Sequence, residues 1–306
     1  MAENVAVRQA RADDADAVAA FTRDTWAEFD RGDYLPSVFP EWVAGDGPDQ
    51  RTFVAERGAN VVGCCQAVRL SAHEAWTQGM RVHPDCRGEG VAAALDAAAL
   101  EWARDRGAAV ARNMVFSWNE EGMAAARALG YEPRAAFRWA RPDPAPDRGE
   151  AGAVADAPDA AWACWARSDA RDRLGGLALD DDESWALSEW TRERCRRAAD
   201  ERAVLAVRSE AGTRAAAART RTTDTDDGTV AVYGASCWRD LSAARALFAA
   251  IARDAAACDA TATRVLVPET PRHVSDAAAT GAAVDDHPDL VFEADLTARR
   301  HRGGDR

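Results

Sequence analysis

The sequence predicts an α+β protein built from two tandem units, each a mixed, mostly antiparallel sheet flanked by helices. Three observations predict it. The chain has 306 residues, 47% of them hydrophobic, which is long for one ordinary domain and comfortable for two cores. A Pro/Asp/Gly-rich segment, Arg141 to Ala160, carries four prolines that forbid regular helix or central strand, and it splits the chain into near-equal halves. Each half then runs through the same succession of elements, although the residues hardly match. The expected division is 1–141 for the first domain, 142–158 for a linker, 159–298 for the second and 299–306 for a basic tail.

In the first half "VAVRQA" reads as a strand, and Asp13 is placed to cap a helix through about Thr25. A helical or irregular stretch runs on to "FPEW". "TFVAER" and "VVGCCQAVRL" form a hairpin across "GAN", and "AWTQGMRV" adds a third strand. From Gly90 to about Arg106, Val91, Leu95, Ala98 and Trp102 recur on one helical face, and Gly107 stops the helix. "AVARNMVF" is a strand, Asn119 caps a helix ending at Gly130, and "AAFRWA" closes the unit as its last strand.

The second half begins with helices near Asp159–Arg171 and Ser184–Asp200. A hairpin follows, "AVLAVR" and "TRAAAARTRT" around "SEAG", then the strand "TVAVYGASCW". Ser242 begins a helix to about Ala257. "TRVLVP", the helix "TPRHVSDAAATG" and "LVFEADL" complete the order. The acidic run Asp180 to Glu183 fits the N-terminus of a helix. Trp162, Trp165, Trp185 and Trp190 fit helix packing, with an acceptor-binding aromatic patch as the sharper alternative.

Charge bounds the function. Acids outnumber bases 51 to 38, the net charge is −13, and every basic residue is arginine. Such a balance fits a saline cytoplasm, where charge repulsion is screened within ~3 Å at 1 M salt, or codon bias alone. It argues against a nucleic-acid partner, which wants a basic face. Seven cysteines without Cys-x-x-Cys spacing fit reduced thiols. His73 beside Glu74 and His83 near Asp85 are the residues nearest to a metal pair, and no metal is expected. No stretch reads as a signal peptide or a bilayer span, so a cytoplasmic location without a membrane partner is expected, as monomer or homodimer.

The chemistry concentrates in "MRVHPDCRGEGVAAAL", Met80 to Leu95, where a strand hands over to a helix through Gly-Glu-Gly. A helix start exposes N–H groups without intrahelical partners, its dipole adds partial positive charge, and glycine admits a ligand close to the main chain. Together these make an anion site, usually for phosphate. A Walker loop would need Gly-Lys-Ser/Thr, which is absent. A dinucleotide fingerprint is satisfied literally by Gly88, Gly90 and Ala93. Its context is wrong: Pro84 separates strand from glycines, an antiparallel hairpin lies upstream, and no ribose-binding acid stands about 20 residues on.

The stretch resembles the coenzyme A loop of the GNAT superfamily of N-acetyltransferases, whose motif is Q/R-x-x-G-x-G/A. Arg87, Gly90 and Ala92 match it, and Val82-x-Pro84 and Leu95 flank it as in the family. Downstream, Asn119 opens a helix that Leu129-Gly130-Tyr131 closes, again as in the family. The resemblance covers roughly residues 5 to 141. It implies acetyl-CoA as cosubstrate and direct transfer of acetyl to an amine. It implies that the backbone of Met80, Arg81 and Val82 holds the pantetheine arm and that the amides of Arg87, Gly88, Glu89, Gly90, Val91 and Ala92 bind the diphosphate. It also implies a contact from Asn119. The family often protonates the leaving thiolate with a tyrosine seven residues after that asparagine; here the position is Ala126, and Tyr131 is expected in the core. Candidates for proton transfer are Glu74, His73, Glu28 and Ser117, each of which also reads as an ordinary surface residue. Cys86 is the thiol nearest the loop. The second half lacks the glycines, so a degenerate copy that binds no coenzyme is expected. A non-catalytic acyl-CoA-binding or sensing module stays open as the alternative.

Overall fold

In the computed structural model, residues 5–23, 25, 32–147, 153–210 and 212–297 are described. Residue contacts divide them into two units. The first takes the residues up to Asn113, Ala124–Glu132 and those from Glu293; the second takes Met114–Met123 and Pro133–Phe292. Both are mixed α+β.

In the first unit β1 (Val5–Gln9), β2 (Gln50–Arg57), β3 (Asn60–Arg69), β4 (Glu74–Val82) and β5 (Val110–Phe116) lie in that order. The first four pair antiparallel, and β4 pairs parallel with β5 across α3 (Val91–Asp105). The expected hairpin and third strand are thus present. α1 (Ala15–Thr22) and α2 (Leu35–Gly45) bury Val18, Leu35 and Phe39 with Val54 and Cys64 of the sheet. Asp13 is not the cap of α1. Asp14 stands there instead, and its carboxylate accepts from Arg11 N at 2.7 Å and pairs with Arg8 at 2.7 Å. Α buried ion pair closes the unit's far end: Arg112 of β5 lies 2.6 Å from Glu74 and 2.6 Å from Glu293.

In the second unit the sheet runs β6 (Glu132–Arg141), β13 (Ala262–Pro268), β12 (Gly228–Trp238), β11 (Gly212–Thr225), β10 (Ala203–Ser209) and β7 (Ala153–Ala155). Here too one pair, β12 and β13, is parallel across a long helix, α8 (Leu241–Ala257), so the first unit's strand, long helix, strand order recurs. The core is Tyr233, Trp238, Leu247, Phe248 and Ile251 against Val265 and Val267. "AAFRWA" does not close the first unit. As β6 it pairs antiparallel with β13, placing Phe137 opposite Pro268 and Ala140 opposite Val265. β14 (Ala283–Val284) also pairs with β6, and β15 (Asp289–Asp295) follows.

Three local expectations change. Ser184–Asp200 is not one helix. After α5 (Pro158–Trp165) and α6 (Asp169–Arg173), β8 (Leu177–Leu179) and β9 (Leu187–Glu189) form a small ladder, and α7 (Arg192–Glu201) starts only where Thr191 accepts from Arg194 N. The acidic run is a turn rather than a helix start. Asp180 accepts from the amides of Asp182 and Glu183, while buried Asp181 pairs with Arg194 and Arg197. The predicted start of α8 at Ser242 shifts to Leu241, because Asp240 caps it. α9 (Pro271–Ala279) stands as read.

Asp289 gives a pH-dependent prediction. Burial, reinforced by nearby Asp285, pushes its carboxyl up to about 6. The folded state therefore holds this proton more tightly than the unfolded chain, whose aspartates titrate near about 3.9. Its favourable contribution is present below that value and is lost as pH rises through about 6. Asp289→Asn is expected to stabilise the chain at neutral pH by on the order of 2 kcal/mol and to change little at acid pH. Urea midpoints at the two pH values check it.

Candidate active site

The site is built where β4 breaks its ladder. β4 and β5 are paired only from Glu74 with Val110 to Trp76 with Arg112. On the other side β4 keeps β3 to its end, with a register shift between Cys64 and Gln66. Gly79 sits in that bulge at φ 65°, a left-handed conformation that disfavours any side chain. A Cβ there would also lie 2.6 Å from the Trp42 ring. Past the bulge, His83 N donates to Val62 O at 2.9 Å. Ladder hydrogen bonds alternate along a strand, so Arg81 also faces β3, and the polar backbone of Met80 and Val82 is directed to the open side.

After β4 the chain makes a short turn at Pro84–Cys86, and Arg87 is extended. Gly88 and Gly90 both take left-handed φ, 76° and 83°. A Cβ on either would meet nothing within 4 Å. Gly90 is the N-cap of α3 and contributes no side-chain cap, and Ala94 N donates to Gly90 O at 3.0 Å. Residues 87–90 are exposed, and the first amides of a helix have no partner within it. Such a turn fits a phosphate group. The Glu89 carboxylate, half exposed, pairs with Arg57. Arg87 lines a cavity of about 460 Å³ with His83, Pro84, Asp85 and the Phe21 end of α1. Val91 is buried beneath the turn.

The second unit handles the matching place differently. The N-cap of α8 is Asp240, whose carboxylate accepts from Ala243 N at 2.9 Å and pairs with Arg214. An anion belonging to the chain already satisfies that helix start.

The proton-transfer candidates fare unevenly. Glu74 is 3% exposed and held by Arg112 at 2.6 Å and Ser71 Oγ at 3.0 Å. It stands five residues from Gly79, ~17 Å along an extended strand. His73 is exposed beside it, 4.0 Å from Glu74. Glu28 lies outside the described residues. Ser117 and Asn119 belong to the second unit; Ser117 N donates to Pro288 O, and Asn119 Oδ1 accepts from Gly122 N at 2.9 Å, capping α4 (Glu120–Ala128) as expected. Trp118 stacks on Phe116 at 5.1 Å. Cys86, the thiol nearest the loop, is buried within its turn. Ala126 is buried, and Tyr131 is fully buried, donating to Asp96 at 3.0 Å and meeting Thr77 at 3.1 Å.

Sequence reasoning missed the group that covers the bulge. Arg81 Nε donates to Asp33 at 2.7 Å, its Nη1 donates to Met80 O at 3.1 Å, and its guanidinium carbon lies 5.6 Å from the Tyr34 ring. Asp33 Oδ1 in turn accepts from Leu35 N at 3.0 Å, which secures the start of α2. The one available signal was the scarcity of tyrosine, three in the whole chain. Of the tryptophans read as helix packing, Trp165 and Trp190 are buried as expected. Trp185 is 42% exposed at φ 65° and meets Trp139 edge-on.

A bulged strand thus opens its edge beside a glycine turn and a helix start without a side-chain cap. The acetyltransferase (GNAT) family model matches residues 16–131 of the chain. No curated protein matches the chain. It is similar to the structure of a GCN5-related N-acetyltransferase from Sphaerobacter thermophilus, at 14% identity and TM-score 0.61, covering 95% of this chain and 96% of that one. It is also similar to a tandem GNAT protein from the clavulanic acid biosynthesis pathway, at 15% identity and TM-score 0.51, covering 97% and 100%. These likenesses concern the fold: two tandem GNAT-like units.

Proposed function

We propose that the chain transfers an acetyl group from acetyl-CoA directly to an amine acceptor, with one coenzyme site, in the first unit. The observation that carries this reading is the pair of left-handed glycines at the start of α3, open to solvent and without a side-chain cap. The amides from Gly88 onward would take the diphosphate, with Arg87 adding charge from the side. The outward backbone of Met80 and Val82 would take the pantetheine arm and orient the thioester carbonyl. Polarising that carbonyl by a fixed N–H is the oxyanion-type contribution. In the second unit Asp240 occupies the matching helix start, which supports a degenerate copy. The acidic, lysine-free composition supports a saline cytoplasm as the setting.

Ala126 and the sequestered Tyr131 favour a second reading, a module that binds acyl-CoA without turning it over. One experiment separates the two. Acetyl-CoA is titrated into the full chain by calorimetry in molar potassium chloride, and thiol release is then followed with small amines, amino acids, aminoglycosides and peptide N-termini. Binding with thiol release is the expected result. Binding with no release from any acceptor class supports the sensing module, and no binding by folded protein overturns both.

A further inference from the structure

We propose that the second unit carries a binding site for a small planar carboxylate, with Arg264 taking the charged group and the rings of Trp139 and Trp185 flanking the flat body beside it. Every residue of this site lies in the second unit, and the proposal does not rest on the coenzyme reading. Leu266 of β13 lies opposite Trp139 of β6. Side chains alternate along a strand, so Arg264 shares that face of the sheet with Leu266 and Trp139. The Trp139 and Trp185 rings stand at 83° to each other with centroids 6.3 Å apart, which makes a corner. The Arg264 guanidinium carbon faces both walls, 5.2 Å from the Trp185 centroid and 6.0 Å from that of Trp139.

Both donors at this corner lack an acceptor. Arg264 is half-buried and makes no hydrogen bond or ion pair with any described residue. An aromatic face attracts its charge, but the N–H edge of the fork is left over, and that edge matches a planar oxyanion bidentately. Trp139 is 4% exposed, and its buried Nε1 completes no hydrogen bond either. Trp185 is the exposed wall, and its place is enforced. A φ of 65° disfavours so bulky a residue. The turn before it is pinned: Asp180 N donates to Ala186 O at 2.8 Å, Asp180 Oδ1 accepts from the amides of Asp182 and Glu183, and Arg221 donates to the carbonyls of Asp180 and Glu183. A large ring held against solvent in a strained backbone is a feature that clusters at ligand clamps.

Charge selects the anion. The charged groups that act on Arg264 are Arg141, Asp285 and Asp289. Arg141 is already engaged, donating to both oxygens of Asp285 at 2.7 Å each. Burial pushes the Asp289 carboxyl up to about 6, so it is mostly ionised at neutral pH. Two cations and two carboxylates then balance, and the corner lacks the surplus of positive charge that would favour a doubly charged phosphate over a single carboxylate. Burial, with Arg141 beside it, also weighs against the Arg264 cation, and an incoming anion relieves both.

The probe is benzoate, and its binding to the full chain is followed by saturation-transfer NMR at neutral pH and fixed potassium chloride, beside benzamide and inorganic phosphate. Wild type is expected to bind benzoate saturably and about 10-fold more tightly than benzamide, which keeps the ring and lacks the charge. Arg264→Gln is expected to lose about 10-fold in benzoate affinity, for the same reason. Trp185→Gly suits the left-handed φ, so it removes the wall without breaking the turn, and is expected to lose about 3-fold. Near-UV circular dichroism checks that both variants are folded. No saturable benzoate binding by folded wild type overturns the site. Equal benzoate affinity in Arg264→Gln and wild type also overturns it and leaves Arg264 a cation stacked for packing. Phosphate binding tighter than benzoate overturns the assignment to a carboxylate.

Discussion

Gly90→Trp is expected to fold and to lose acetyl-CoA binding by at least ~100-fold, because the substitution acts on the ligand's side of the loop. A Cβ at Gly90 meets nothing within 4 Å, so a large side chain has room to project from the exposed turn. The left-handed φ of 83° adds backbone strain. Such strain amounts to roughly 1–2 kcal/mol for a residue with a Cβ, which a chain of this size tolerates. The indole would instead stand over the amides at the start of α3. Hydrogen bonds to a charged group contribute ~1.5–3 kcal/mol each, so two lost to the diphosphate suffice for that factor. Calorimetry on wild type should give one site per chain, since Asp240 already caps the corresponding helix of the second unit. Wild-type affinity retained in the variant would place the coenzyme elsewhere.

The same loop shows how far the sequence reaches. Gly88, Gly90 and the apolar stripe of α3 were legible because their cause is local: backbone conformation at a helix start and periodicity along one face. Asn119 was legible as a cap for the same reason. The partner of β6 was not. An alternating apolar run fits any open sheet edge, and the choice of β13 is made by tertiary contacts that no window of sequence contains. The helix read across Ser184–Asp200 failed through its own capping chemistry. Thr191 starts a helix and Asp180 folds a turn, yet the charge-rich run between them carries no clear period. Tyr34 is the more instructive miss. "GDYLPS" looks like a loop entering a helix, and only the docking of α2 on Gly79 brings its ring to Arg81. Glu74 shows the converse. Its neighbour His73 suggested chemistry, whereas the guanidinium that engages it comes from Arg112, on another strand.

That ion pair carries the largest stability effect expected in the first unit. Arg112 is 5% exposed and bridges Glu74 and Glu293, each at 2.6 Å. Arg112→Ala leaves the Glu74 carboxylate buried without its cation, a change that costs about 3–5 kcal/mol. Glu293, on the more exposed side, can rehydrate and adds less. Replacing both members, Glu74→Gln with Arg112→Met, removes the charge together with its partner and is expected to recover much of the loss, because a buried pair contributes little net stability relative to neutral groups. Urea midpoints of Arg112→Ala, Glu74→Gln and the double variant check the order. The series also decides what Glu74 does. A base at the acyl position would lose turnover in Glu74→Gln while stability held. A brace predicts the reverse: lower stability, with acetyl-CoA affinity kept wherever the chain is folded. The brace follows from register, since Trp76 with Arg112 is the last paired step before β4 and β5 part. The pair thus clamps the closed end of the strands, and the open end is left for the ligand.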